Sequence, residues 1–319
     1  MRVTAGRYEP ARAGDWERLI AAAPTGTFLH TRRFLGYHPA DRFRDASLLL
    51  WDERERLLGV IPAAAEASRS EQVVSHPGAT FGGLLMRTGS GGTAAMATME
   101  AAVSAWRDMG FRRLVYKAVP AIYHRSPFAD DLWALRGLGA VLARWDLTSP
   151  IDLREEPSLA QRRRRTLRKA ERAGVSVQRS TAALAAFWPV LEGALGRHEV
   201  APVHTLAEMA QLCELFPDQI ELVVSRLDGA VVAGTVLFVS PRVVHAQYLA
   251  ASAPGRAVGA LDAAVRVAIE WARGLGRRYF DFGISNAPST GLNEGLYSWK
   301  SEFGAGSALH EHYELRLDG

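Results

Sequence analysis

An aspartate stands inside an apolar run, "RRYFDFGIS", and a loop rich in Ser, Asn, Pro, Thr and Gly follows it. Burying an unpaired carboxylate is costly. Asp281 is therefore either satisfied by nearby backbone amides for structural reasons, or turned to a cavity. Lys300 lies further on in "YSWKSEFG", one edge over from the apolar stripe Leu292, Leu296, Trp299 and Phe303, with Asn293 on the same edge. An ammonium there polarises a carbonyl, holds a carboxylate, or is simply exposed. His198 and His204 in "GRHEVAPVHTL" are of the type that accepts a proton near neutral pH, although a lone histidine also serves packing. Tyr248, Ser285 and Asn286 join His204 and Asn293 as candidate substrate-binding residues. A carboxylate, a lysine and a histidine can each move a proton or steady a charge. The single cysteine, Cys213, lies among apolar neighbours in "LAEMAQLCELF" and reads as core.

Other polar residues have less pattern. His310 and His312 share a strand face, but no third ligand appears near them in the sequence. There is no His-Glu-x-x-His and no cysteine pair, so no metal is expected. In the first half, Lys117, Tyr123 and His124 follow a strand and are candidates for substrate binding, with phosphate one option for Lys117. Gly82-Gly83 marks a close approach of backbone. "PSLAQRRRRTLRKAERAG" is the strongest charge feature. Ser158 and Gln161 form a capping-box pattern and Gly174 ends the helix. At about 100° per residue, Arg165, Arg168, Lys169 and Arg172 share one face, and Leu159, Ala160, Leu167 and Ala170 share the opposite one. Arg163 falls in the middle of the apolar face. It pairs with something there, snorkels past it, or reaches phosphates of a substrate or of tRNA.

The elements that must position these residues alternate in a regular way. In the second half, "GVSV" is a strand, and roughly 183–197 and 205–216 are helices. "IELVVSR", "VVAGTVLFVS" and "VVHAQYLAA" are strands joined by an Asp-Gly turn and a Pro-Arg turn. A glycine loop, "SAPGRAVG", precedes the helix "ALDAAVRVAIEWARGLG", whose apolar residues recur at helical spacing. "RRYFDFGIS" is a strand, a short helix carries Lys300, and "LHEHYELRL" is the last strand. The first half follows the same order more loosely. Trp106 and Trp271 are each followed six residues on by an Arg-Arg pair and a strand, so Tyr116 and Asp281 fall at equivalent places. This local repeat points to a duplicated domain, with boundaries at 1–150 and 151–319 and a junction near "SPIDLREEPS".

Composition sets outer bounds. The 319 residues fit two domains of ordinary size. One cysteine excludes an internal disulfide and suits a reducing compartment. No run of about 18 apolar residues is present, so no membrane span is expected. The start lacks the apolar stretch of a secretory signal, and a cytoplasmic protein is expected. Net charge is +4 and the isoelectric point about 9.4. That permits an anionic partner such as a nucleotide, coenzyme A or tRNA, and requires none.

"RRRRTLRKAERAGVSV", followed later by "YFDFGIS…GLNEGLYSWKSEFGA", resembles the Fem-type branch of the GNAT acyltransferases, whose members carry two GNAT-like domains. "FLHTRRF", "HPGATFGG" and "YKAVPAIYH" extend the likeness into the first half. The resemblance implies an α+β fold of two tandem GNAT-like domains, each a mixed, largely antiparallel sheet flanked by helices. It implies acyl transfer to an amine of a small molecule, a sugar or a peptide-like acceptor. The donor is an acyl-CoA in GNAT enzymes proper and an aminoacyl-tRNA in Fem-type enzymes. A non-catalytic RNA- or nucleotide-binding module is the remaining alternative. GNAT enzymes hold the CoA pyrophosphate on amides at a helix N-terminus, with the pattern Arg/Gln-x-x-Gly-x-Gly/Ala. Arg256 and Gly259 keep that pattern and Leu261 departs from it. Gly255, Arg256, Gly259 and Ala260 are thus candidates for the donor site, where free amides and the helix dipole favour an anion. In Fem-type proteins the lysine of the segment matched by "WKSEFG" faces the substrate channel, which makes Lys300 a catalytic candidate with Asp281 and His198.

Overall fold

A computed structural model describes residues 1–39, 41–156, 158–197, 199–286 and 291–318. The chain forms two compact units, Met1–Asp146 with Leu309–Gly319, and Leu147–Ala308. The last strand therefore goes with the first unit, not with 151–319 as expected. The reason is its ladder: it pairs antiparallel with a first-unit strand, Tyr313 opposite Tyr116.

In chain order the first unit contains β1 (Val3–Arg7), α1 (Ala13–Ala22), α2 (Arg32–Leu35), β2 (Phe43–Asp45), β3 (Leu48–Asp52) and β4 (Leu57–Ile61). Then come β5 (Ala64–Glu66), β6 (Gln72–Val74), β7 (Leu85–Met86), α3 (Gly92–Asp108), β8 (Arg113–Lys117), α4 (Asp130–Gly137) and the first half of β9 (Val141–Asp152), which from Leu147 on belongs to the second unit. One sheet runs β1-β3-β4-β7, and β15 (Ala308–Arg316), β8, β6, β5 and β2 lie side by side in another. Helix α3 buries Ala95, Met99, Ala102 and Trp106 against Leu48, Leu50, Leu114 and Tyr116. The close approach expected at Gly82-Gly83 is real. A Cβ on Gly82 would lie 1.9 Å from the Ser75 carbonyl, and Gly83 has φ +87° beside the Tyr116 hydroxyl. The polar stretch expected as the junction is not a loop, since Ser149–Asp152 lie within β9.

The second unit holds α5 (Gln161–Arg172), β10 (Ser176–Arg179), α6 (Leu184–Gly196), α7 (Leu206–Leu215), β11 (Ile220–Leu227), β12 (Ala230–Val239) and β13 (Val243–Ala251). It continues with α8 (Ala253–Val258), α9 (Ala260–Gly274), β14 (Tyr279–Ile284) and α10 (Glu294–Ser301). Its strands are ordered β10-β11-β12-β13-β14-β9. Asp228 and Gly229 both have positive φ, which closes the β11–β12 hairpin with the twist that hairpins favour. Helix α9 packs Ala264, Val265, Ala268 and Ile269 on a layer of Val223, Leu237, Phe280, Phe282 and Phe303.

Two local expectations change. Helix α5 starts at Gln161 with Ala160 at its N-cap and no side-chain cap, so Ser158 and Gln161 make no capping box. The Ala160 amide is instead held by the Glu302 carbonyl. The glycine loop is mostly helix: Ser252 caps α8 by accepting from the Gly255 amide, and Gly259, at φ +79°, is the single left-handed residue between α8 and α9.

Candidate functional site

Strands β13 and β14 pair in parallel, a geometry made possible by the α8–α9 crossover. Their register covers Val243↔Tyr279, Val244↔Phe280 and His245↔Asp281, and then stops. Each strand carries an extra residue where the pairing ends. On β13, Val236 faces Tyr248 while Leu237 faces Ala246, so Gln247 is bulged out. On β14 the register against β9 slips between Asp281 and Ile284. Bulges of this kind re-aim side chains and end pairing. The Gln247 Oε1 is buried there without a hydrogen-bond partner among the described residues.

Asp281 sits at that point and is only 2% exposed. Its Oδ1 accepts from the Thr148 hydroxyl at 2.5 Å, and its Oδ2 lies 2.9 Å from His245 Nδ1. Burial pushes its carboxyl up, but the hydrogen bond and charge of His245, then Thr148 and the Gly283 amide, outweigh this and hold it below its ordinary value. The carboxylate is thus ionised and covered. It does not meet a substrate directly, as the sequence alone allowed; it orients an imidazole whose side chain is 14% exposed. His245 was not singled out in the sequence. The signal available was weak: His245 and Gln247 are polar residues at alternate positions of an otherwise apolar strand, which places both on one face.

Gly283 shapes the access to that ring. At φ +76° it adopts a conformation natural only to glycine, and a Cβ there would lie 3.1 Å from His245 Cε1. Lys300 holds this bulge in place. Its ammonium donates to the carbonyls of Gly283 at 2.8 Å and Ile284 at 2.6 Å. Burial lowers its pKa to about 8, against the pull of the Asp281 charge. At 1% exposure Lys300 does not face an open channel; helix α10 carries it inward to the end of β14.

Around these groups, other candidates are pinned to the backbone. The Ser285 amide donates to the Leu147 carbonyl and its carbonyl accepts from the Asn293 amide. Asn286 Oδ1 accepts from the Leu147 amide, and Asn293 caps α10 by accepting from the Leu296 amide. His204 and Tyr248 meet: His204 Nδ1 lies 2.7 Å from the Tyr248 hydroxyl, whose pKa burial raises to about 12. His198 lies outside the described residues.

A cleft of about 600 Å³ opens in the same unit, within the size range of small-molecule sites. Leu249–Ala251 of β13, the α8–α9 elbow at Gly255, Arg256 and Gly259, and Arg162, Arg197 and Trp299 line it. Arg256 donates to the Ala251 carbonyl. The expected cradle of free amides is reduced, because the Gly255, Arg256 and Gly259 amides bond to Ser252 Oγ, Ser252 O and Arg256 O. Helix α5 also covers the elbow: a Cβ on Gly259 would fall 2.3 Å from Thr166 Cγ2. Ala260 is fully buried under it. Arg163 reaches the cleft wall but is paired. It donates to Asp262 at 2.6 Å and to Glu302 at 2.7 Å, tying α5 to α9 and to the end of α10. Of the readings open in sequence, pairing is the one found.

The first-unit candidates form their own group. The Lys117 ammonium donates to the His76 and Ala79 carbonyls, and burial lowers its pKa to about 8. Tyr123 packs on Phe81 with centroids 4.6 Å apart, and His124 bonds the Val119 carbonyl at 2.8 Å. His310 and His312, which have no third ligand near them in the sequence, gain a carboxylate neighbour in the fold. Strand β9 brings Asp146 to them, with one donor atom of each residue within 4.8 Å of the others.

Residues 158–301 match the model of the acetyltransferase (GNAT) domain family. No curated protein matches the chain. Among solved structures, FemX is similar at a TM-score of 0.72 and 13% identity, over 98% of this chain and 97% of that one. A tandem GNAT protein from the clavulanic acid biosynthesis pathway is similar at 0.60 and 11%, over 100% and 99%. L-PGS from Bacillus licheniformis is similar at 0.60 and 14%, over 98% and 93%. The fold expected from sequence, two GNAT-like domains in tandem with a resemblance to the Fem and GNAT acyltransferases, is thus shown. No helix among the described residues is long and apolar enough to cross a membrane.

Proposed function

We propose, from the GNAT acyltransferase domain in its second half, that this protein forms an amide by acyl transfer, with His245 as the proton acceptor. The observation that carries this reading is the Thr148–Asp281–His245 chain at the place where β13 and β14 part. The acceptor enters as an ammonium and must lose a proton before it attacks. His245 takes that proton on Nε2, because Nδ1 faces Asp281, and the buried carboxylate stabilises the imidazolium formed. The amine nitrogen bonds to the donor carbonyl carbon. The bond from that carbon to sulfur or oxygen then breaks, the leaving group takes the proton back from His245, and the second proton of the attacking nitrogen passes to solvent as the neutral amide forms. Lys300 is a positioning residue, since its two hydrogen bonds fix the bulge that sets Gly283 against the ring.

An acyl-CoA is the donor we favour. The cleft supports this by its size and by the guanidinium groups of Arg162, Arg197 and Arg256, which suit a pyrophosphate better than the few remaining amides do. An aminoacyl-tRNA is the second reading. It is favoured by the exposed face of α5, where Arg164, Arg165, Arg168, Lys169 and Arg172 are all turned to solvent, and by the likeness to FemX. Acetyl-CoA offered with a panel of primary amines, read as thiol release and as product mass, tests the first. Turnover that survives ribonuclease supports it. Turnover that needs charged tRNA transfers the donor role to tRNA, and no acyl transfer from either donor ends the enzymatic reading.

A further inference from the structure

His310 and His312 are two residues apart on β15, so their side chains project from the same face of the sheet. Asp146 lies on the neighbouring strand β9. It is buried, as is His310, and the His312 side chain is largely covered. The His312 Nε2 is buried and makes no hydrogen bond among the described residues. Its nearest carboxylate oxygen, Asp146 Oδ2, is 3.6 Å away, too far for one. A buried ring nitrogen left in this way is costly. The separation has a simple meaning, however: two atoms each about 2.1 Å from one tetrahedral ion stand about 3.4 Å apart.

We propose that Asp146, His310 and His312 bind a divalent transition-metal ion of the zinc class, which clips β15 to β9 inside the first unit. The set of two imidazoles and one carboxylate leaves a coordination position for water. Arg144 grips the same carboxylate, Nε to Oδ1 at 2.9 Å and a terminal nitrogen to Oδ2 at 2.9 Å. Each carboxylate oxygen has a second lone pair, so this fork leaves one free on Oδ2 and fixes its direction. Lys117, opposite His312 in the β8–β15 ladder, turns its ammonium to the carbonyls of His76 and Ala79. These two cations oppose any ion held by charge alone. The donor set of two imidazoles and one carboxylate supplies too few oxygens for calcium or magnesium and suits the metals that imidazole binds well.

The test uses the whole chain without an affinity tag, stripped with a chelator and titrated with Co²⁺ and with Zn²⁺. About one ion per chain is expected after desalting, with a visible Co²⁺ spectrum, and Zn²⁺ raises the melting midpoint. His312→Gln and Asp146→Asn each lower affinity at least tenfold and abolish that rise, with the circular dichroism of the wild type. The Asp146→Asn change keeps the shape of the side chain, so it reads the loss if His312→Gln fails to fold. Absence of stoichiometric binding by the wild type, or full binding by either variant, overturns the proposal.

Discussion

Replacing Asp281 by Asn tests whether the buried carboxylate works through His245. The change keeps the side-chain shape and one acceptor for His245 Nδ1, but removes the charge. The carboxylate is 2% exposed, so solvent does not screen it. A hydrogen bond to a charged group contributes about 1.5–3 kcal/mol. At about 1.4 kcal/mol per tenfold, this corresponds to a loss of about 10- to 150-fold in kcat. The assay is the rate of acyl transfer with the donor and acceptor pair that turns over best, measured for Asp281→Asn, His245→Ala and the double variant. If Asp281 acts only by orienting and charging the imidazole, the double variant is no slower than His245→Ala alone. Losses that multiply would separate the two residues. A near wild-type rate for Asp281→Asn would refute the relay itself.

Arg163→Ala leaves buried Asp262 without its cation, and leaves Glu302 only the exposed Arg162 at 3.6 Å. Because Arg163 and Asp262 are both buried, thermal denaturation should show a loss of about 3–5 kcal/mol, and a melting curve like that of the wild type would contradict the pairing. The pH dependence of unfolding follows from Asp281, whose carboxyl is held below 3.8 in the fold. Its stabilising contribution is full above the unfolded value and fades as pH falls through the folded one. Asp281→Asn should therefore lose stability less steeply than the wild type below about pH 4 in acid titrations followed by fluorescence. Cys213 is half-buried with its thiol pushed up to about 11 by burial and by Glu221 and Glu214. Little thiolate exists at pH 7.5, so alkylation by iodoacetamide should run far slower than for a free thiol until the protein is denatured.

The sequence by itself determined most elements of the second unit and their order, α8 excepted, because those signals are local. Apolar runs of period two, an Asp-Gly turn and the helical spacing of α9 do not depend on distant residues. It also determined that Asp281 and Arg163 stand out, since each is a charge in an apolar setting. What answers those charges was decided only by tertiary structure. His245 lies 36 residues before Asp281 and Thr148 lies 133 before it, and a parallel and an antiparallel ladder bring the three together. Arg163 finds Asp262 from 99 residues away. Asp146 reaches the two histidines of β15 only because that strand leaves the second unit and adds to the first. Sheet neighbours are set by long-range pairing and register, which no local periodicity encodes. The same reason explains Lys300, which a helical stripe put at an edge and which the end of β14 drew inward onto two carbonyls.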